Sequence, residues 1–224
     1  TWEAKEEATK DAKSIINPFT GKSVYDFYLE YMYPFYKIYT GMERRGIRID
    51  REKQKKLQEI YDIKLKEKIA EYTELIGHEV NFNSPTKVAE LLFIDLKCPI
   101  RKDTKEDTLV ALCNNVIKDD RRKHIIHLTL ELRRLYKAIN TYINCYADYD
   151  DRIRCEWKFT GTETARTSTG IIQSPLRTTK WGISLQTLTK HGEYGDDIRS
   201  MFVADKSCIF VEIDKAQAES RIAD

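Results

Sequence analysis

The amino-acid sequence predicts an α+β fold, with a mainly helical first part and a last part that mixes strands with helices. Two long segments before residue 147 have apolar residues three or four positions apart, and after Asp151 apolar and polar residues alternate. The first spacing indicates amphipathic helices and the second a half-buried strand. We therefore expect a lead-in over residues 1–30, a helical part over 31–147 and a mixed part over 148–224.

The overall charge does not identify a class of partner. The chain is 41% hydrophobic and 33% charged, which fits a folded, soluble protein. Its 38 Lys and Arg residues nearly balance its 36 Asp and Glu residues, so net charge does not indicate a protein that binds a polyanion. Positive charge gathers only in residues 101–137, with ten basic and six acidic side chains. A solvated helix face and a nucleic-acid surface both fit that segment.

The cysteines and the hydropathy pattern favour the cytoplasm. Five scattered cysteines, without a CxxC pair or a Cys/His cluster, argue against a disulfide framework and fit a reducing compartment. No stretch approaches the roughly 20 apolar residues of a membrane span, and the first residues lack the apolar core of a signal peptide. We therefore expect a cytoplasmic protein with no membrane partner.

The first elements in the chain are a polar helix and an aromatic helix. The polar helix is expected within residues 1–20, closed by Pro18 and Gly21. Residues 23–50 are unusually rich in Tyr and Phe, and Pro34 is expected to start or kink a helix there. We expect most of these aromatic side chains to lie in the core.

Four further helices are predicted before residue 147. Residues 51–76 keep a helical apolar spacing without a break, and a rise of 1.5 Å per residue gives a helix roughly 40 Å long. Ser84 and Pro85 are typical of an N-cap and a first helical turn. Further helices are expected over residues 105–117 and 119–146, the second with a continuous apolar stripe.

The mixed part is expected to contain two strands. Residues 153–159 alternate in polarity, and a Thr-rich loop around Arg166 follows them. An extended piece is predicted over residues 183–189, a helix over 196–202 and a second strand over 208–214. Another helix is expected to begin near Ala216.

The end of the second strand carries an aspartate, Asp214. Alternation places Ile209, Val211 and Ile213 on a face that packs, and Asp214 on a face that looks at a cleft or at solvent. On shape alone, such an aspartate is more often a helix cap than a metal ligand. The polar groups after it, beginning with Gln217, suit a site for a charged, sugar-bearing substrate.

Several segments in the same order are similar to those of one family. The segment "DKAQAESR", residues 214–221, resembles motif A of the family A DNA polymerases, the DNA polymerase I group. Upstream, "TARTS", "SLQTL" and "IRSMFVAD" resemble segments that precede motif A, "MERRGIRID" resembles the start of the polymerase domain, and "FNSPTKVAELLF" resembles the tip of the thumb. These segments look closer to phage-type members of the family than to the bacterial enzyme. If the protein is phage-encoded, we expect it in the cytoplasm of the bacterial host.

The resemblance implies a catalytic site built on Asp214. In this family the motif A aspartate binds two Mg²⁺ ions, which lower the pKa of the primer 3′-hydroxyl and neutralise charge on the triphosphate. Asp214 has that position, and the backbone carbonyl of Lys215 is a further expected ligand. Glu219 corresponds to the steric gate under the sugar, and Gln217 and Glu219 are the expected dNTP contacts. Glu219 also argues for deoxynucleotides and against a single-subunit RNA polymerase.

The resemblance also implies contacts to primer–template DNA. Arg166 corresponds to an arginine that monitors the minor groove at the primer terminus, and it joins Asp214 and Glu219 as a catalytic candidate. Gln186 corresponds to a residue that contacts the template strand. The remaining candidates lie at the thumb tip and on a basic thumb helix, where they position the duplex without reading its sequence. They are Asn83, Ser84, Lys87, Arg133, Arg134, Lys137 and Asn140.

The matched segments cover only the thumb and the first part of an antiparallel palm, an incomplete right-hand polymerase. Two-metal catalysis needs a second carboxylate near the ions, and neither the motif C that supplies it nor a fingers segment occurs in the sequence. We therefore expect this chain to be inactive alone and to need a second polypeptide, or a C-terminal half, that carries both. A natural split subunit and a fragment remain open, as does a non-catalytic accessory subunit that binds primer–template DNA.

Overall fold

The computed structural model describes residues 2–158, 162, 166–172, 182–188 and 192–213. The chain forms two compact units. The mixed unit comprises Thr1–Ile49, Tyr146–Thr187 and Phe202–Asp224, and the helical unit comprises Asp50–Cys145 and Leu188–Met201. Helices with small antiparallel ladders confirm the α+β class. The three-part division at residues 30 and 147 stays a prediction.

The mixed unit begins with helices and continues with short strands. A π-helical turn, Tyr28–Met32, joins its second and third helices into one stretch. The helices are α1 (Trp2–Ser14), α2 (Val24–Phe27) and α3 (Tyr33–Arg45), and the strands are β1 (Ile47–Arg48), β2 (Arg152–Ile153), β3 (Glu156–Lys158) and β4 (Ser168–Gly170). The predicted polar lead-in helix is thus confirmed as α1.

Local signals explain where the aromatic helical stretch begins and bends. Ser23 and Asp26 form a capping box at the start of α2: the Ser23 hydroxyl accepts from the Asp26 amide at 3.1 Å, and the Asp26 carboxylate accepts from the Ser23 amide at 2.9 Å. Pro34 lies in the first turn of α3, directly after the π-helical turn. A proline cannot donate a backbone hydrogen bond and its ring disturbs the turn before it, which fits the irregular, π-helical geometry of that turn.

The expectation that the aromatic residues of this stretch are mostly buried is wrong. Phe27, Tyr31, Phe35 and Tyr36 are 48–52% exposed, and no residue from Val24 to Arg45 is buried. The rings contact one another instead, as Phe27 and Tyr31 do at 5.2 Å between centroids. An aromatic side chain is buried only where another element covers it, and composition alone does not reveal the covering element.

The strands within the described residues form two separate antiparallel ladders. In the first, Ile47 pairs with Ile153, and in the second, Trp157 pairs with Thr169. The strand expected over residues 153–159 is therefore divided into β2 and β3. The division falls at Arg154, whose guanidinium binds the carboxylates of Asp148 and Asp150, each at 2.6 Å, in the preceding loop. These ion pairs hold the chain away from a continuous strand.

A close backbone approach fixes the segment that follows the second ladder. Gly182 has a φ of 67°, and a Cβ atom added there would lie 1.7 Å from the carbonyl oxygen of Arg154. Only glycine fits, because any side chain would overlap that carbonyl. The extended piece expected over residues 183–189 is wrong in its centre, since Leu185–Thr187 form a 3₁₀ turn closed by the bond from the Thr187 amide to the Ser184 carbonyl at 3.1 Å.

The described part of the second predicted strand, residues 208–213, is not paired as a strand. A turn precedes it, in which Ser207 has a φ of 63° and the Cys208 amide donates to the Asp205 carbonyl at 3.0 Å. Ile209 and Ile213 are 83% and 91% exposed, so the face expected to pack is open. Alternating polarity specifies a strand only where a neighbouring strand accepts its backbone hydrogen bonds, and none of the described residues does so.

The helical unit is built from helices of very different length. Its described helices are α4 (Arg51–Ile76), α5 (Pro85–Ala89), α6 (Glu106–Asn115), α7 (Asp120–Lys137) and α8 (Gly195–Ser200). The helices α5 and α7 continue into the π-helical turns Glu90–Asp95 and Ala138–Ile143. These helices confirm the segments predicted from apolar spacing. Within the described residues, no helix combines the length and the apolar character needed to cross a bilayer.

The core of the helical unit lies between α4 and α7. The predicted apolar stripe of α7 is confirmed, because Ile125, Leu128, Leu132 and Leu135 are at most 1% exposed. Ile125, Leu128 and Leu132 pack in a cluster with side chains of α4, α6 and the turn after α5, including Tyr72, Leu92 and Leu112. The predicted stripe of α4 is correct only in part, since Ile60 is 58% exposed.

Polar contacts fix the two ends of α4. Asp50 caps its start by accepting from the Lys53 amide at 2.9 Å, and Gly77 ends it in a left-handed conformation with a φ of 90°. The buried Gln54 amide donates to the carbonyls of Ile143 at 2.7 Å and Cys145 at 3.0 Å. These two bonds tie the first turn of α4 to the end of the π-helical turn after α7.

Replacing a core leucine tests this packing. We expect Leu132→Ala to lower the free energy of unfolding by about 3 kcal/mol, because it removes buried methyl groups and leaves a cavity. Ile60→Ala is the matched control: it removes a similar side chain from an exposed position of α4 and should change stability by less than about 0.5 kcal/mol. Urea unfolding followed by circular dichroism checks both, and equal losses would contradict the assignment of the core.

Acid should weaken the ion pairs around Arg154. That guanidinium lowers the pKa of Asp150 from its ordinary value, first through a direct hydrogen bond. A lowered folded-state pKa gives stability that is present above the unfolded pKa, about 3.9, and is lost as pH falls through the folded value.

We expect Asp150→Asn to lower the free energy of unfolding by about 0.5–1 kcal/mol at pH 7, as is typical of partly exposed ion pairs. Because the titrating carboxylate is gone, the variant should lose less additional stability than the parent chain between about pH 5 and pH 2. Asp11→Asn, at an exposed carboxylate of α1 with no ion pair among the described residues, should leave the pH profile unchanged. Urea midpoints measured across this range check the prediction. Identical profiles for Asp150→Asn and the parent chain would refute it.

Candidate nucleic-acid interface

Some predicted site residues lie outside the described part of the chain. These are the four candidates for metal and nucleotide binding: Asp214, Lys215, Gln217 and Glu219. Across residues 2–158, 162, 166–172, 182–188 and 192–213, no group of His, Cys, Asp and Glu side chains is arranged to hold a metal ion. The metal and dNTP assignments therefore stay predictions, and the described geometry concerns the expected DNA contacts.

The loop of residues 81–84 presents two of the candidates, Asn83 and Ser84. The backbone N–H of Asn83 donates to the side-chain oxygen of Asn81 at 3.0 Å, and the backbone N–H of Ser84 donates to the Asn81 backbone carbonyl at 3.1 Å. The exposed Asn83 side chain has no hydrogen-bond partner among the described residues. The turn thus holds Asn83 with its amide group open to a ligand.

Ser84 is the N-cap of α5, as the sequence predicts. Its hydroxyl accepts from the Lys87 amide at 3.4 Å, and Pro85 occupies the first turn. A hydroxyl that accepts one hydrogen bond still has its own proton to donate, and a phosphate oxygen is a suitable acceptor. The Lys87 ammonium pairs with Glu90 at 2.8 Å, so its charge is partly neutralised.

The basic end of α7 contains three cations with different surroundings. Arg134 donates from Nε and Nη2 to one carboxylate oxygen of Glu106, at 3.0 and 2.6 Å. Lys137 is exposed and makes no ion pair with any described residue. Asn140, in the following π-helical turn, donates to the Tyr136 carbonyl at 2.9 Å, which leaves its side-chain oxygen exposed. Lys137 is thus the most available positive charge of this helix end.

Arg133 is the exception among these candidates, because its guanidinium faces the protein. Its Nε donates to the Phe82 carbonyl at 2.7 Å, its Nη1 to the Thr104 carbonyl, and its Nη2 to the Thr104 hydroxyl at 3.4 Å. Burial lowers the pKa of Arg133 from its ordinary value. Its role as a DNA contact stays a prediction, but its donors already have acceptors.

A cavity of about 340 Å³ lies beside this end of α7. Arg134 and Lys137 line it, together with Glu106, Glu193 and Tyr194. Two acidic and two basic side chains give the cavity no strong sign of charge. Tyr61 donates to Asp197 at 2.6 Å, and Lys64 pairs with Glu193 at 2.6 Å, so α4 holds the segment that closes the cavity. The basic residues therefore border a surface of mixed charge.

The mixed unit brings together the other two DNA candidates, Arg166 and Gln186. The Gln186 side chain donates to the Thr167 hydroxyl at 3.1 Å, and its backbone amide donates to the Thr169 hydroxyl at 3.0 Å. The Arg166 side chain is exposed, and its carbonyl accepts from the Thr162 hydroxyl at 2.7 Å. The two segments, 19 positions apart in sequence at the Thr167–Gln186 bond, thus form one polar surface that the sequence pattern alone does not join.

Sequence reasoning missed the residues that hold these loops in place. Phe82 and Thr104 are buried and supply the carbonyls for Arg133, and Glu106 supplies the carboxylate for Arg134. A phenylalanine between two asparagines in a polar loop signals an anchored turn. Nothing in the sequence pairs Thr104 with Arg133, because the contact joins positions 29 apart across two elements.

Comparisons with known proteins identify the family. The model of the family described as DNA polymerase family A matches residues 51–224. Two Helicobacter pylori DNA polymerase I sequences are 32% and 33% identical to this chain, each over 84% of it, and the Bacillus subtilis DNA polymerase I is 28% identical over 84%. The chain therefore belongs to DNA polymerase family A.

The fold agrees with this assignment. The solved POL domain of Pol1 from M. smegmatis, in complex with DNA primer-template and dNTP, matches 74% of this chain with a TM-score of 0.59 at 24% identity. The match covers 28% of that solved chain. Likewise, this chain spans 20% of the length of the Helicobacter pylori relatives. The likeness shows that the fold is that of part of a family A polymerase domain.

The Ser84 cap gives a direct test of the loop geometry. Ser84→Ala removes the acceptor of the Lys87 amide, and a lost N-cap costs about 1 kcal/mol, which corresponds to roughly fivefold faster exchange of that amide with solvent deuterium. Ser84→Asp keeps an acceptor and should exchange like the parent chain. Thr86→Ala, an exposed change in the same turn, is the control. Unchanged exchange in Ser84→Ala would contradict the capping role.

Proposed function

We propose that this chain is part of a DNA-directed DNA polymerase that transfers deoxynucleotides to a primer by two-metal catalysis. The observation that carries the proposal is the match of DNA polymerase family A over residues 51–224, which includes both the basic end of α7 and Asp214. The similar solved domain was bound to DNA primer-template and dNTP, which supports the same classes of ligand here.

The metal site of the proposal rests on the chemistry of its donors. Asp214 would supply carboxylate oxygens and Lys215 a backbone carbonyl oxygen, the kinds of ligand that Mg²⁺ prefers. When bound, two Mg²⁺ ions would stabilise charge on the triphosphate and activate the primer hydroxyl. Glu219 would pack under the sugar and exclude a 2′-hydroxyl, and Gln217 would contact the dNTP beside it.

The DNA surface of the proposal combines polar loops with few open cations. Asn83, Ser84 and Lys87 at the 81–84 loop and its helix, with Arg134, Lys137 and Asn140 on α7 and the turn that follows it, would contact the sugar-phosphate backbone. Such contacts fix the register of a duplex and carry no sequence information. Arg166, as a further catalytic candidate, and Gln186 would contact the primer–template duplex near the reacting end. Contacts of this kind do not depend on the base sequence, which suits an enzyme that must act on any DNA sequence.

The proposal includes a second source of polypeptide. Two-metal transfer needs a second carboxylate, and the sequence contains neither motif C nor a fingers segment. We propose that these parts are supplied either by a separate chain or by further polypeptide of the same protein. This chain alone would bind DNA without extending a primer. We also propose that the polymerase is of the phage type.

Asp214→Ala tests whether the chain contributes to catalysis. In an assembly with a polypeptide that carries motif C and the fingers, we expect this change to abolish primer extension with dNTPs, because a metal ligand is lost. The affinity of the 224-residue variant chain for the primer–template duplex, measured by fluorescence anisotropy, should stay within about twofold of that of the parent chain. The reason is that Asp214 lies outside the proposed duplex contacts.

Two outcomes would count against parts of this function. Unchanged extension by Asp214→Ala would refute the assignment of Asp214 as a metal ligand. Duplex binding by the parent chain, without extension in any such assembly, would favour the non-catalytic accessory subunit. Glu219→Ala in the active assembly is the specificity control, and it should raise incorporation of ribonucleotides relative to deoxynucleotides.

A further inference from the structure

Arg133 joins two loops of the helical unit through its guanidinium. All three of its nitrogen atoms donate to the protein: one to the carbonyl of Phe82, and two to the carbonyl and hydroxyl of Thr104. Phe82 and Thr104 are 8% and 4% exposed. A buried carbonyl without a partner costs free energy, so these bonds constrain the path of both loops.

The shape of the guanidinium explains why an arginine lies here. Its planar, forked donors can bind acceptors in two directions at once, whereas a lysine ammonium is a compact charge on a flexible stem. The Phe82 carbonyl accepts from Nε, and the two oxygens of Thr104 accept from the two terminal nitrogens. Lysine at this position would reach one loop and release the other.

The 81–84 loop is held to α7 by a second contact that involves Phe82. The ring of Phe82 meets the ring of Tyr136 edge-on, with centroids 5.9 Å apart and planes at 75°. Tyr136 follows Arg133 by three residues, so both contacts come from adjacent turns of one helix face. The backbone and the side chain of Phe82 are thus fixed by α7, and the positions of Asn83 and Ser84 follow from it.

We propose that Arg133 is a positioning residue, which supports DNA binding by holding the 81–84 loop and does not itself touch the duplex. The effect of Arg133 on DNA binding rests on the proposed function, whereas its effect on the loop rests on the described contacts alone. This role separates Arg133, whose donors have acceptors in the protein, from Lys137, an exposed residue four positions later that has the same charge and no ion pair among the described residues.

The first test measures duplex affinity against salt concentration for the full chain. Removing one phosphate contact lowers the slope of log affinity against log salt by about 1. We expect Arg133→Gln, which removes the charge, to weaken binding of a primer–template duplex by roughly fivefold at fixed salt, because the loop is less ordered, with an unchanged slope. Lys137→Gln removes a charge in the same way and should lower the slope. A lowered slope in Arg133→Gln would overturn the inference.

A double-mutant cycle with Asn83→Ala separates the two mechanisms further. If Arg133 acts through the loop, Asn83→Ala should weaken the parent chain but add little to Arg133→Lys, because the loop is already misplaced. The effects of Asn83→Ala and Lys137→Gln should instead add. Full additivity of Arg133→Lys and Asn83→Ala would contradict a positioning role.

Deuterium exchange of the Asn83 and Ser84 amides tests the loop without DNA. Faster exchange in Arg133→Lys supports the inference, and unchanged exchange overturns it even if duplex binding is normal. Failure of the parent chain to bind the duplex, with this exchange effect present, would refute the proposed function and leave the holding role supported. If Arg133→Lys does not fold, Tyr136→Leu removes the second contact to Phe82 and should raise the same exchange rates.

Discussion

The packing of the apolar stripe of α7 against α4 is the constraint on which the proposed interface depends. Leu128 and Leu132 are buried in one cluster with Tyr72 of α4, so the direction of the other side chains on α7 is fixed by the helical repeat. Arg133, Arg134 and Lys137 consequently leave the core at defined angles toward the neighbouring loops. The bonds of Gln54 to the carbonyls of Ile143 and Cys145 hold the end of the turn that follows this basic part of α7 to α4. A rigid helix pair thus supports polar groups that lie mainly on loops, which suits a surface that must fit a regular duplex.

Three cations within five residues of α7 have three different electrostatic situations. Arg133 neutralises no carboxylate in its described contacts and binds backbone carbonyls, Arg134 is paired with Glu106, and Lys137 remains open among the described residues. Counting basic residues therefore overstates the charge available to a polyanion, because paired and buried cations contribute less to an external field. The organisation instead favours a surface with modest charge and well-positioned amides and hydroxyls.

The elements that depend on local signals were predicted correctly from the sequence. Those that depend on contacts with distant parts of the chain were not. The helix over residues 51–76, the Ser84 cap and the buried stripe of α7 follow from spacing and capping chemistry, which act within a few residues. The exposed rings of Phe27 and Phe35, and the open apolar face of residues 209–213, were misjudged because burial and strand pairing depend on an element that covers them. The contacts of Arg133 with Phe82 and Thr104 were invisible for the same reason, since they join distant positions. Ordered motifs identified the family, because several spacings agreed at once.

Differential lysine acylation tests most directly whether the loop of residues 81–84 and the end of α7 form one duplex-binding surface. The full chain would be treated with an amine-reactive ester with and without primer–template duplex, and each lysine quantified by mass spectrometry. We expect the duplex to protect Lys87 and Lys137 several-fold, and Lys55, an exposed lysine near the start of α4, to react equally in both samples. Equal reactivity of Lys137 with and without the duplex, under conditions where the duplex is bound, would contradict a shared surface.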